Sequence, residues 1–119
     1  MPAQSSPYMF QAAVELPLSL VFKATEGCWE GHDYCVAVVV ERCGLDENDV
    51  VMDFRVLESE LKNIIGPLRG RLLSELGMEG PIDVAKKIAH EIGPSIRPPA
   101  RLASVSLQDG TGRRVALKL

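Results

Sequence analysis

Two glutamates and a histidine crowd one short stretch of this chain, at Glu26, Glu30 and His32. If the flanking segments pair closely as a hairpin through Gly27, Cys28 and Trp29, Glu26 faces Glu30 and Ala24 faces His32. Residues two apart on a strand share a face, so this register gathers all three side chains on one side of a sheet. Carboxylates set directly opposite each other repel unless they are solvated, share a proton or hold a cation between them. An imidazole beside them completes the minimum donor set for zinc or another divalent metal. The plainer alternative is a pair of solvated hairpin-end acids next to a surface histidine. Glu26, Glu30 and His32 are therefore the candidate metal ligands.

The other reactive residue types are less concentrated. Cys28, Cys35 and Cys43 are odd in number and lack C-x-x-C spacing, which points away from a disulfide framework or a zinc ribbon. Asp109 precedes Gly110, a common turn chemistry. No helix is expected after Gly110-Thr111-Gly112, so this stretch does not read as a phosphate loop. His90 falls off the apolar stripe of its segment and reads as a solvated side chain.

The elements that must position these residues follow from hydrophobic periodicity. Phe10, Ala12, Val14 and Leu16, then Leu18, Leu20 and Phe22, alternate with a period of two, which predicts a long half-buried strand interrupted or bulged at Pro17. Tyr34 to Val40 is β-branched and apolar on both faces, as in a central or subunit-covered strand. Asp53 stands where a helix N-cap belongs. Leu57, Leu61, Ile64, Ile65 and Leu68 then recur at helical spacing until Gly66-Pro67 kinks or ends the helix. Pro81 opens a second helix with the stripe Ile82, Ala85, Ile88, Ala89 and Ile92, closed by Gly93-Pro94. Residues 102–119 read as a hairpin turning at Asp109 to Gly112. The order β-β-α-α-β-β predicts an α+β domain: a four-stranded antiparallel sheet with two helices on one face.

Composition sets the frame. The 119 residues are 46% apolar, 24% charged and 5% aromatic, with a net charge of -3, which describes one domain over residues 1–119. No segment approaches the roughly 20 apolar residues of a membrane-spanning helix, and Met1 to Pro7 lacks the basic residues of an export signal, so a cytoplasmic protein without a membrane partner is expected. Residues 26–60 carry ten acids against two arginines, whereas residues 97–119 carry five bases against Asp109. The overall acidity and scarcity of aromatics argue against a nucleic-acid partner. Valines on both faces of the second strand, with only two helices to cover a long sheet, argue for burial against further copies of the chain.

Several segments together resemble the 6-pyruvoyltetrahydropterin synthase and 6-carboxytetrahydropterin synthase family. Phe22-Lys-Ala-Thr-Glu26 is similar to F-x-A-x-H, and Glu30-Gly31-His32-Asp33-Tyr34 to H-G-H-x-Y. Val51-Met52-Asp53-Phe54 up to Leu57 is similar to V-x-D-F-x-x-L, Leu68 to Leu73 to L-D-H-x-x-L, and Val105 to Asp109 to a strand ending in glutamate. The resemblance implies the tunnelling fold, a homo-oligomer (trimer or hexamer) and a small-molecule pterin partner. It also implies a carbon-oxygen lyase acting on a dihydropterin, or a catalytically degenerate binding or assembly subunit of the same fold. The family's three zinc histidines correspond to Glu26, Glu30 and His32, a set that favours harder cations. Its catalytic cysteine corresponds to Cys28, and its pterin-anchoring glutamate to Asp109. Arg69 and Gly70 stand where the family has its catalytic Asp-His pair.

Overall fold

The computed structural model describes residues 8–23 and 27–119. Four strands form one antiparallel sheet in sequential order: β1 (Met9–Lys23), β2 (Trp29–Cys43), β3 (Arg101–Asp109) and β4 (Arg114–Lys118). Two helices, α1 (Phe54–Ile65) and α2 (Pro81–Ile92), connect the hairpins. The α+β, β-β-α-α-β-β architecture expected from periodicity is the one observed.

Alternation decides which face the helices cover. Val14, Leu18 and Leu20 of β1, Val36, Val38 and Val40 of β2, and Val105 and Leu107 of β3 are buried on one face. Leu57, Leu61 and Ile65 of α1 and Val84, Ile88 and Ile92 of α2 close the same core, with α1 over β1 and α2 over β3 and β4. Ala37 and Val39 point to the other face and are half-buried. The valine-rich strand is thus the central β2.

Local signals define the helix ends. The Asp53 carboxylate accepts from the Arg55 amide at 2.9 Å and caps α1. Gly66-Pro67 ends α1 in a 3-10 turn, and Pro81 occupies the first position of α2. Ile82, placed on the apolar stripe by its spacing, is instead 58% exposed, and Val84 is buried in its stead. The start of α2 stands at β4, the last and shortest strand, where there is less sheet to cover it.

Two local expectations are corrected. β1 runs unbroken through Pro17, which pairs with Cys35. β1 lies at the sheet edge, where one side has no partner strand and proline is tolerated. The irregularity falls instead between Val39 and Val40, where the pairing of β2 with β3 shifts register. The hairpin register is also different. Phe22 lies opposite Glu30 and Leu20 opposite His32, four residues away from the register that a three-residue loop would set. β1 ends at Lys23 and β2 begins at Trp29. A ladder of fifteen residues that must align two apolar rows outweighs the shortest loop closure. Glu30 and His32, two apart on β2, share the face that bears the core whatever the register.

Candidate functional site

Beyond the helix-covered part of the sheet, the core face continues as an open cleft of about 290 Å³. Strand periodicity brings its walls together. Phe22 comes from β1; Glu30, His32 and Tyr34 are alternate residues of β2; Asp109 ends β3; Val115 belongs to β4. Pro81, Arg113 and Arg114 complete the rim. Three rings form one wall: His32 stacks on Phe22 with centroids 5.5 Å apart and an interplanar angle of 24°, and tilts against Tyr34 at 6.1 Å. At the hairpin mouth, Lys23 and Trp29 pair across the strands, with the Lys23 Nζ 5.7 Å from the indole centroid.

Glu30 and His32 meet at 3.4 Å between Oε2 and Nε2, both partly exposed. The contact is an ion pair when the imidazole is protonated and a long hydrogen bond otherwise. Glu26 lies outside the described residues, so the proposed triad is represented by two of its members. No group of three or more His, Cys, Asp or Glu side chains among the described residues is arranged to hold a metal ion. Cys28 is exposed just before β2 and does not line the cleft. Arg69 is exposed, and Gly70 donates its amide to the Ser19 carbonyl at 3.0 Å, which pins this segment against the outer edge of β1.

Asp109 is in the cleft and is also the organiser of its own turn. Its Oδ1 accepts from the Thr111 hydroxyl at 2.7 Å, the Thr111 amide at 2.9 Å and the Arg113 amide at 3.0 Å. Oδ2 has the looser contact, 3.4 Å from Arg113 Nε. The Thr111 hydroxyl above all, then the two amides and the Arg113 charge, hold this carboxyl below the usual carboxylate range despite an opposing effect of burial. Tyr34 faces Asp109 across the ladder, and burial, then the Asp109 charge, pushes its phenol up. Turn and ligand readings of Asp109 are therefore compatible: one oxygen builds the turn and the other, among the described residues, has only the looser contact with Arg113.

Phe22, Tyr34, Arg113 and Arg114 were not singled out as site residues from sequence. Tyr34 shares the i, i+2, i+4 row of Glu30 and His32, and that periodicity is the signal that finds it. The arginines follow a turn, and only the hairpin geometry brings Arg113 back over the carboxylate and Arg114 to the rim.

The geometry has counterparts among known proteins. The structure of Caenorhabditis elegans 6-pyruvoyl tetrahydropterin synthase superposes with a TM-score of 0.74 at 14% identity, over 98% of this chain and 99% of that one. An uncharacterized protein from Wolinella succinogenes superposes at 0.71 and 15%, over 93% and 98%. A Plasmodium vivax 6-pyruvoyltetrahydropterin synthase, solved with its catalytic glutamate changed to alanine, superposes at 0.64 and 12%, over 94% and 99%. These likenesses establish the fold. No curated protein matches the sequence. Residues 10–116 match the family described as 6-pyruvoyl tetrahydropterin synthase. With that match over most of the chain and the sheet and helices in the same fold, the chain belongs to the 6-pyruvoyl tetrahydropterin synthase family.

Proposed function

We propose that this protein binds a reduced pterin in the cleft between Phe22 and Asp109. The observation that carries the reading is a wall of three rings, Phe22, His32 and Tyr34, beside a carboxylate with one oxygen free of the turn. A flat heterocycle stacks or packs edge-on against such a wall. The Asp109 oxygen accepts from a ring N–H or exocyclic amine once Arg113 swings aside, because a carboxylate accepts and never donates when ionised. Relatives named for tetrahydropterin synthesis have the same fold, which agrees with this ligand class.

As a carbon-oxygen lyase, the protein would break the C–O bond to the phosphate group on the side chain of a dihydropterin while a base takes the proton from the neighbouring carbon, leaving a double bond and free phosphate. The Plasmodium vivax relative has a glutamate described as its catalytic residue, so a carboxylate can serve in this family. Glu30, in contact with His32, is the better placed candidate here; Cys28 does not reach the cleft wall. A zinc ion would polarise side-chain oxygens, but the described residues supply only Glu30 and His32 as donors, and a full set requires Glu26. The described donors do not make a zinc centre.

The outer edge of β1 is partly covered, by Gly70 on the Ser19 carbonyl and by the bridge of Val21 with Leu72, whereas β4 ends the sheet with no further strand beside it among the described residues, and that open edge supports a homo-oligomer, trimer or hexamer. Three exposed, unpaired cysteines agree with a reducing, cytoplasmic setting. Among the described residues, no helix is long and apolar enough to cross a membrane.

Fluorescence titration with dihydroneopterin tests the reading. Saturable binding that weakens at least tenfold in Asp109→Ala is expected. Absence of saturation, or unchanged affinity in that variant, overturns it. Triphosphate release from dihydroneopterin triphosphate then separates a lyase from a binding subunit.

A further inference from the structure

On the face of the sheet away from the helices lies a separate dip of about 290 Å³. Strand register builds it from two neighbouring rows. One row runs Glu15, Ala37, Ser106 and Ala116 from β1 to β4, and the next runs Pro17, Cys35, Gln108 and Arg114. Ala37 and Ser106 are small and form the floor. Glu15 and Cys35 stand on the β1 side; Gln108, Asp109 and Arg114 stand on the other.

Ser106 sets this dip apart from an ordinary gap between strand side chains. The helices cover the other face, yet Ser106 is only 8% exposed, and its hydroxyl lines the dip with no hydrogen-bond partner among the described residues. A polar group sunk this far is met by a protein atom, by water or by a ligand. The charges around it are separated by sign. The Cys35 thiol donates to Glu15 Oε2 at 3.4 Å, which leaves Glu15 Oε1 without a partner among the described residues. Partial burial, then the Glu15 hydrogen bond and charge, push the Cys35 thiol pKa up, so the thiol serves here as a donor and not as a nucleophile. Across the floor, the exposed Arg114 has no ion pair among the described residues.

We propose that this dip is a second ligand site, which takes a small linear zwitterion with its ammonium on Glu15, its carboxylate on Arg114 and Gln108, and its middle over Ala37 and Ser106. Glu15 and Arg114 stand three strands apart, about 14 Å between backbones at roughly 4.8 Å per strand, so a ligand with separated charges meets both where a compact ion meets one. Glu15 and Asp109 oppose a lone anion, and Arg114 opposes a lone cation. Ammonium on carboxylate and carboxylate on guanidinium are both charge-assisted hydrogen bonds. The Ser106 hydroxyl donates or accepts as the ligand requires. The volume is at the lower end of small-molecule sites, roughly 300–1,000 Å³, and suits a short ω-amino acid. The dip shares only Asp109 and Arg114 with the cleft on the other face, and the inference goes beyond the pterin reading.

Two-dimensional NMR of the full chain tests the proposal, with 5-aminovalerate as probe and pentanoate and pentylamine, its single-charge counterparts, at matched ionic strength. 5-Aminovalerate is expected to shift the Gln108 side-chain amide and the Ser106 backbone amide saturably, with an affinity at least tenfold above either counterpart. Glu15→Gln, at an exposed position with no folding burden, should abolish the preference over pentanoate. Ser106→Val fills the floor and should weaken 5-aminovalerate binding at least tenfold. The titration contains no pterin, so its outcome is separate from that of the dihydroneopterin experiment. Absence of a saturable shift, equal affinity for pentanoate, or an undiminished preference in Glu15→Gln overturns the site.

Discussion

Tyr34 and Asp109 stand directly across from each other where β3 ends, so a phenol and a carboxylate share the floor of the cleft. Burial and the Asp109 charge both favour the neutral phenol, which therefore has a raised pKa in the folded chain. A raised pKa adds stability below the unfolded value, near 10, and that stability is lost as pH rises through the folded value. Denaturant unfolding at pH 8 and pH 11 should show a steeper loss in the wild type than in Tyr34→Phe. Asp109→Asn should reduce the loss by removing the carboxylate's share. Equal slopes in wild type and Tyr34→Phe would separate Tyr34 from this coupling.

The same turn makes an opposite prediction at acid pH. Asp109 is held ionised by the Thr111 hydroxyl first, then by the Thr111 and Arg113 amides and the Arg113 charge. Its stabilising effect is present above the unfolded carboxylate pKa and disappears as pH falls through the lower folded value. Thr111→Ala removes the largest of these supports. Between pH 5 and pH 2 this variant should lose less stability than the wild type, having less to lose. An NMR titration of Asp109 should show its pKa moving up in Thr111→Ala, and an unmoved value would contradict the assignment of the hydroxyl.

How much of this was legible in the sequence depends on which forces decide each feature. The strands and helices were, because Leu18, Leu20, Val36 and Val38 repeat with a period of two and Leu57, Leu61 and Ile65 at helical spacing, and burial enforces both patterns. Asp53 as a cap and Pro81 as a helix start were legible because their backbone chemistry is local. The pairing of Phe22 with Glu30 was not, since it is fixed by a whole fifteen-residue ladder and not by the loop. Glu30 and His32 share a face by their spacing on one strand, so that pair of the proposed triad does not depend on the register. Arg113 over Asp109 depends on the path of a turn, which has no periodic signature.

Metal content follows from the donor chemistry. One imidazole and one carboxylate 3.4 Å apart hold zinc less selectively than three imidazoles. Purified protein should carry less than one tightly bound zinc per chain by elemental analysis. Glu30→His adds a second imidazole on the face of His32, two residues away, and Glu26→His combined with it restores the family's histidine set. Zinc affinity should rise with each change, read by competition with a chromophoric chelator. Stoichiometric zinc in the wild type that resists chelation would overturn the assignment.

Two apolar residues that the sequence treats alike should behave differently. Leu57 on the core side of α1 is fully buried, whereas Ile82 on α2 is 58% exposed beside a groove of about 270 Å³ formed with Val115, Ala116 and Leu117. Leu57→Ala should lower stability by about 2–5 kcal/mol, because it opens a cavity in a packed core. Ile82→Arg should change the stability of the isolated chain by no more than about 0.5 kcal/mol, as expected of an exposed site. If β4 and the start of α2 meet a neighbouring copy, the same arginine buries an unpaired charge in that contact and breaks it. Light scattering after size exclusion should then show the wild type as an oligomer and Ile82→Arg as smaller species at the same concentration, with far-ultraviolet circular dichroism unchanged. A wild type that runs as a monomer, or an Ile82→Arg oligomer as stable as the wild type, would remove this edge from the assembly.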